Sequence, residues 1–245
     1  MKVLDSIVDR GSPATANRTF TVIRALFNWA IGRGIIEKSP CNGLSKPAPE
    51  RQRDRVLSDE ELRGVLLAAR DIGHPYGTIV EILALTGQRR EEVAGMRWDE
   101  ISPDGSLWTI PATRSKNGRP HVVQLVGRTR GILGALPRTS DLVFHTNGNA
   151  FTQFARLKRH HDDRSGVQDW VIHDLRRTAV SGMARLGVEP HVADKILNHQ
   201  SGTISGVAAV YQRHDFMSER KEALKMWASH VIDTGIRSRS PLRAA

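Results

Sequence analysis

The feature that most constrains this chain is a break in apolar patterning between Gly43 and Arg55. The run contains Lys46, Pro47, Pro49, Glu50, Arg51, Arg53, Asp54 and Arg55, and no apolar periodicity. Proline removes a backbone donor and biases the residue before it away from helical angles, so such a run cannot extend a helix or fill a central strand. It reads as a linker, and any sizeable core must be built by the residues after it.

Before the linker, residues 14–32 carry Phe20, Ile23, Phe27 and Ile31 at spacings of three, four and four, which predicts a helix. After it, Ser58 to Glu61 forms a capping box opening a helix with Leu62, Val65, Leu66 and Ala69 on one face. A second helix is expected from Tyr76 to Leu85, broken at Thr86-Gly87, with a further turn or two carrying Val93 and Met96. Leu107–Ile110 and His121–Leu125 read as short strands flanking Asn117-Gly118, a strong hairpin pair. Helical spacing returns over residues 126–136, 151–163, 173–186, 190–198 and 215–231. The expected fold class is mainly α with a small antiparallel sheet (α+β). Residues 235–245 are basic and unpatterned, as in a disordered tail.

Composition excludes several classes. Hydrophobic residues make up 39% and charged residues 25%, which is ordinary for a globular chain. No run approaches the ~18 apolar residues of a membrane span, and the N-terminus lacks the apolar centre of a signal peptide. A cytoplasmic, nucleoid-associated protein with no membrane partner is expected. Cys41 is the single cysteine, so an internal disulfide is impossible. Lys plus Arg number 36 against 26 Asp plus Glu, a net +10. A field of that sign attracts polyanions, and nucleic acid is the natural partner. With only 5% aromatic residues, a base-stacking platform for single strands is not supported, leaving duplex DNA.

Individual motifs are weaker signals. There is no Gly-Lys pair, hence no Walker phosphate loop, and no His-Glu-x-x-His. His160, His161, Asp162 and Asp163 contain metal-ligand types, but neighbours on a helix point apart, so a solvated polar face is expected. His173 and Arg176 lie three apart at a helix start, where two donors and the helix end suit a phosphate. His161 and Arg164 share that spacing, so spacing alone decides nothing. Arg89 and Arg90 follow a buried run, with Glu92 three residues past Arg89. An arginine there grips either an internal carboxylate or a phosphate. Lys116 precedes the expected hairpin tip, between Arg114 and Arg119. Asn198, before His199, suits a left-handed helix cap. Tyr211 and Tyr76 are the two tyrosines, each readable as structural.

The order Arg89, Lys116, His173 with Arg176, His199, Tyr211 closely resembles the tyrosine recombinase (phage integrase) family, from about Ala14 to Val231. Ala16-Asn17-Arg18, Phe27-Asn28-Trp29-Ala30, Ser39-Pro40-Cys41-Asn42-Gly43 and the run Arg55–Glu61 belong to the same likeness. The resemblance implies the DNA breaking-rejoining fold. It implies that Arg89, Arg176, His173 and His199 surround a scissile phosphate, that Lys116 protonates the leaving oxygen, and that Tyr211 is the nucleophile. Glu92 would support the Arg89 turn, and Arg114, Arg119, Arg177 and Arg213 would contact DNA. Asn198 departs mildly from the family, which often has glycine there.

On this resemblance residues 1–46 are a truncated helical core-binding domain, 47–56 a linker, 57–232 the catalytic domain and 233–245 a tail. Neither metal nor other cofactor is implied. The partners would be duplex DNA of attachment-site type and, on it, three further copies in a homotetramer, with a monomer expected off DNA. Two readings remain beside recombination: a nicking-closing activity of type IB topoisomerase kind, and a DNA-binding remnant no longer competent to recombine.

Overall fold

The structure is a computed structural model that describes residues 2–50, 53–199 and 214–235. The chain divides into two compact units, residues 1–54 and 55–245.

In the first unit, α1 (Lys2–Asp9) turns at Gly11, which has φ +74°, into α2 (Pro13–Gly32). Proline at the start of α2 gives up only an N–H that has no helical partner there. Leu4, Phe20 and Cys41 are buried together, with Ile23 and Phe27 packed on them, whereas Ile31 is exposed. Part of the expected α2 stripe therefore buries against α1 and the segment after α2. The Asn17 side-chain amide donates to the carbonyl of Ala48 (2.8 Å) and accepts from its N–H (3.1 Å). That two-way clamp gives the proline-rich stretch its place on α2.

The second unit is built around α4 (Tyr76–Thr86), in which every residue except Thr78 is buried. Its neighbours are α3 (Asp59–Ile72), α5 (Arg90–Ala94), α6 (Gly127–Gly134), α8 (Asp174–Arg185) and the last described helix, α10 (Met217–Gly235). Helix α3 opens with the expected capping box: Ser58 Oγ accepts from the Glu61 N–H, and the Glu61 carboxylate accepts from the Ser58 N–H. Two glycines allow the close approach of helices. A Cβ on Gly77 would lie 1.8 Å from the Ala69 carbonyl oxygen of α3. One on Gly182 would lie 2.1 Å from the Trp227 ring of α10, whose Nε1–H donates to the Ala84 carbonyl (2.8 Å). Trp227 thus ties α10, α8 and α4 together.

Strands β1 (Leu107–Ile110) and β2 (His121–Gln124) pair antiparallel, with Leu107 opposite Gln124 and Ile110 opposite His121. The strands fall where the sequence placed them, and their connection from Pro111 to Pro120 is a loop in which Asn117-Gly118 does not form a tight two-residue turn. Gly118 has φ +68°, but Asn117 stays at negative φ and spends its side chain on Ser115 and Arg119. The two-residue Asn-Gly turn occurs elsewhere. Asn147 (φ 52°) and Gly148 (φ 80°) join β3 (His145–Thr146) to β4 (Asn149–Ala150), a small sheet that the patterning did not predict. Both central residues at positive φ is what a tight type I′ turn requires.

Helix α7 (Phe154–Ser165) leaves His160 and Asp163 exposed, as expected of a solvated polar face, but corrects that expectation at His161. His161 is fully buried. Its Nε2–H donates to the Val65 carbonyl of α3 (2.8 Å), and its Nδ1 accepts from the Tyr76 hydroxyl of α4 (3.0 Å). Both ring nitrogens are satisfied, and burial holds the imidazole below its ordinary pKa. Tyr76 is correspondingly structural. Helix α9 (Pro190–Ile196) and a single 3-10 turn over Trp98–Glu100 complete the described elements, and no described helix is long and apolar enough to cross a membrane.

The glycine contacts yield a test. Gly182→Ala should cost about 1–3 kcal/mol of stability through overpacking against Trp227. Ala184→Ser, on the exposed side of α8, should leave the denaturant midpoint nearly unchanged.

Candidate active site

A cleft of about 700 Å³ in the second unit is bordered by Arg89, Lys116 and His173. These come from three separate segments: the turn after α4, the β1–β2 loop and the residue capping α8. Gly87, in the left-handed conformation (φ +66°), ends α4 and redirects the chain into Gln88 and Arg89. The Glu92 carboxylate, buried, receives both the Arg89 backbone N–H (3.2 Å) and Nη1–H (3.0 Å). The internal pair considered from sequence is therefore real. It fixes the direction of a guanidinium that still borders the cleft.

Arg176, in the first turn of α8, is 5% exposed. Its Nη1–H donates to the Gly87 carbonyl (2.8 Å) and its Nη2–H to the Leu197 carbonyl (2.6 Å). These carbonyls end α4 and α9. Burial, and secondarily the positive charge of Arg89, pushes the Arg176 pKa down to about 10, against which Glu92 acts. At neutral pH it remains a cation.

His199 follows Asn198, whose φ of +54° is the left-handed cap expected of it. The His199 Nδ1 lies 3.1 Å from an Asp194 carboxylate oxygen, and its backbone N–H returns to the Asp194 carbonyl (3.0 Å). Desolvation comes first in lowering the His199 pKa, and the charges of Arg176 and Arg89 add to it, against the pull of Asp194. The same order holds at His173, where desolvation is followed by Arg177, Arg176 and Arg89. Both imidazoles titrate below the ordinary 6.5 and are mostly neutral at pH 7, able to donate at one nitrogen and accept at the other. Both histidines feel the charges of Arg89 and Arg176, and Arg89 and His173 line the same cleft.

The remaining expected residues divide. The Arg114 guanidinium forks onto both Glu100 oxygens (2.8 and 2.6 Å), and Nη1 reaches the Glu92 carbonyl (3.3 Å), so it supports the loop from inside. Arg177 pairs with buried Asp174 (2.7 Å). Arg119 and Lys116 are exposed on the loop. Tyr211 and Arg213 lie outside the described residues.

Sequence reasoning missed the residues that hold the turn before His199. The Ile196 carbonyl receives Gln88 Nε2–H (2.9 Å) and His121 Nε2–H (3.0 Å), while Leu197 receives Arg176. Three donors from three segments thus converge on the end of α9. Gln88 had a signal, since it directly precedes Arg89. His121 had none, because its partner is 75 positions away. Arg90, over the Phe154 ring at 4.9 Å, and Lys158 also line the cleft.

Cationic and hydrogen-bond-donating groups lining one cleft, beside a buried arginine, suit an anionic, oxygen-rich centre such as a phosphodiester. Solved structures share this fold. Over 83% of this chain and 78% of theirs, it matches lambda integrase residues 75–356 in a dimer bound to a COC′ core site, with a TM-score of 0.66 at 18% identity. It matches XerH recombinase bound to a difH substrate with a TM-score of 0.59 at 20% identity, over 81% of this chain and 64% of that one. The fold is that of the tyrosine recombinase catalytic domain. Residues 55–217 match the phage integrase family, and the chain belongs to it. Among curated relatives, prophage integrase IntA of Escherichia coli K12 is 27% identical over 94% of this chain and 58% of its own length. The shufflon-specific DNA recombinase of Escherichia coli is 28% identical over 72% of this chain and 46% of its own. The chain thus spans about half the length of these relatives.

The neutral His121 behind the site makes stability pH-dependent. Burial, and then Arg220, pushes its pKa down to about 4. The folded state therefore binds its proton less readily than the unfolded state does. Stability is full above the unfolded value of 6.5 and falls as pH drops from there through 4. The loss at this site should reach about 3 kcal/mol. Denaturant titrations at pH 7 and pH 4 should show it, and His121→Gln, which retains a donor without titrating, should flatten the difference.

Proposed function

We propose that this chain is a site-specific recombinase that breaks and rejoins duplex DNA through a 3′-phosphotyrosyl intermediate. The observation that carries the reading is the meeting of Arg89, Lys116 and His173 at one cleft, beside Arg176 and His199. On this reading residues 57–232 supply the chemistry and residues 1–46 form part of a DNA-holding domain. The reading takes duplex DNA as partner, a tetramer on DNA, a monomer off it, and the bacterial cytoplasm as the place of work. Family membership favours it over a nicking-closing enzyme or an inactive remnant.

The Tyr211 phenol oxygen attacks phosphorus and forms the new P–O bond, while the bond from phosphorus to the 5′ oxygen breaks. The phenol proton passes to the neutral His173, and the Lys116 ammonium protonates the departing 5′ oxygen. Arg89 and Arg176 offset the charge that builds on the non-bridging oxygens, with His199 donating to one of them. The phosphotyrosyl ester conserves the energy of the bond it replaces. A 5′ hydroxyl from either strand can therefore reverse the step without ATP.

Incubation with a randomised pool of nicked duplexes, followed by sequencing of covalently captured DNA, tests the reading and defines a substrate. Tyr211→Phe should abolish capture while leaving DNA binding, whereas Tyr76→Phe should retain capture. Covalent trapping that survives Tyr211→Phe would remove the nucleophile from this scheme.

The charge neutralisation assigned to Arg89 and Arg176 sets a second expectation. Capture should persist in chelator, and Arg89→Ala should cost about 2.7–4 kcal/mol of transition-state stabilisation, the scale of one lost oxyanion donor. Cleavage that stops in chelator and returns with Mg²⁺ would point to a nuclease.

A further inference from the structure

The β1–β2 loop bearing Lys116 is joined to the turn bearing His199 by a closed set of polar side chains. Asn117 Nδ2–H donates to Asn198 Oδ1 at 2.7 Å. Asn198 Nδ2–H in turn donates to Ser115 Oγ (3.1 Å) and, at longer range, to Asn117 Oδ1 (3.4 Å). Ser115 Oγ–H closes the set on Asn117 Oδ1 at 2.9 Å. Lys116 sits between the two residues so held. Asn198 sits between Leu197, whose carbonyl receives Arg176, and His199. One side chain therefore couples the loop to the part of the site where the arginine and histidine are anchored.

We propose that Asn198 is a positioning residue for Lys116, holding the loop so that the ammonium is presented to the leaving 5′ oxygen. The inference rests on the recombinase reading above. Three features support a positioning role over mere loop stability. The clasp engages both neighbours of Lys116, whose own side chain is exposed on the loop. Gly118, with nothing within 4 Å of a Cβ position, leaves the loop tip without packing of its own. Arg114 anchors the loop's near side, through Glu100 and the Glu92 carbonyl. A long, flexible lysine loses much conformational freedom when it is placed, so fixing its backbone beforehand lowers the cost of bringing it to the reaction.

Asn198→Gly is a clean test, because glycine accepts the φ of +54° without strain while deleting the clasp. With a duplex recovered from the captured pool, Asn198→Gly should slow cleavage by on the order of ten-fold or more. Lys116→Ala should slow it further, within the 10²–10⁴-fold range of a lost general acid. The discriminating substrate carries sulfur in place of the bridging 5′ oxygen at the scissile position. There the P–S bond breaks and a thiolate departs, which needs no proton from the enzyme. Both variants should regain nearly the parent rate on it, as should Asn117→Ala, which opens the clasp from the other side.

Equal slowing of Asn198→Gly on both substrates, or no slowing on either, would overturn the positioning role. Failure of Lys116→Ala to be rescued would instead count against Lys116 as the acid, and loss of all capture in the parent chain against the recombinase reading. A DNA-free measurement stands beside these. Backbone amide exchange over residues 115–119 should accelerate in Asn198→Gly while the α4 core is unchanged. Unaltered exchange there would also overturn the proposal.

Discussion

The guanidinium of Arg176 lies buried between two helix ends, and the site depends on that placement. Isolated burial of a cation is costly, but helix C-termini present carbonyls that lack helical partners and carry partial negative charge. Arg176 meets both needs at once by donating to Gly87 at the end of α4 and to Leu197 at the end of α9. Arg89 follows Gly87 by two residues and His199 follows Leu197 by two. Holding the two helix ends therefore sets the spacing of the groups beyond them. Gln88 and His121 strengthen the same joint by donating to Ile196.

Carboxylates around the cleft do the orienting. Glu92 directs Arg89, Asp194 faces His199, Asp174 holds Arg177, and Glu100 takes Arg114 in a fork. A guanidinium has five N–H groups, so one or two bonds to a carboxylate can aim it without exhausting it. The arrangement explains how a chain with net charge +10 can gather several cations without their repulsion splaying the loops apart. The neutral histidines have another cause: partial burial first, and the nearby arginines second, disfavour an added proton against the pull of Asp174 and Asp194, leaving His173 and His199 with an accepting nitrogen at neutral pH.

The two Asn-Gly pairs show where local signals stop. At Asn147-Gly148 both residues take positive φ between strands of two residues each, and the tight turn forms. At Asn117-Gly118 the same dipeptide is drawn into a wider loop, because Asn117 finds Asn198 across the site. His161 makes the same point for histidine. Its sequence neighbours are polar, yet the helix face it occupies turns into the core, where Tyr76 and Val65 satisfy both nitrogens.

What the sequence determined by itself was what local physics controls. Apolar spacing indicated the helices other than α1, the Ser58–Glu61 box began α3, and Thr86-Gly87 ended α4. The order of chemically distinct residues also indicated the family, to which residues 55–217 belong. Only the tertiary structure decided which donors meet which acceptors. Arg176 and Gly87 are 89 positions apart, and Asn117 and Asn198 are 81. At such separations periodicity and capping carry no information about pairing. Partners are selected by how α4, α8, α9 and the β1–β2 loop pack, and by the cost of leaving any buried polar group without one.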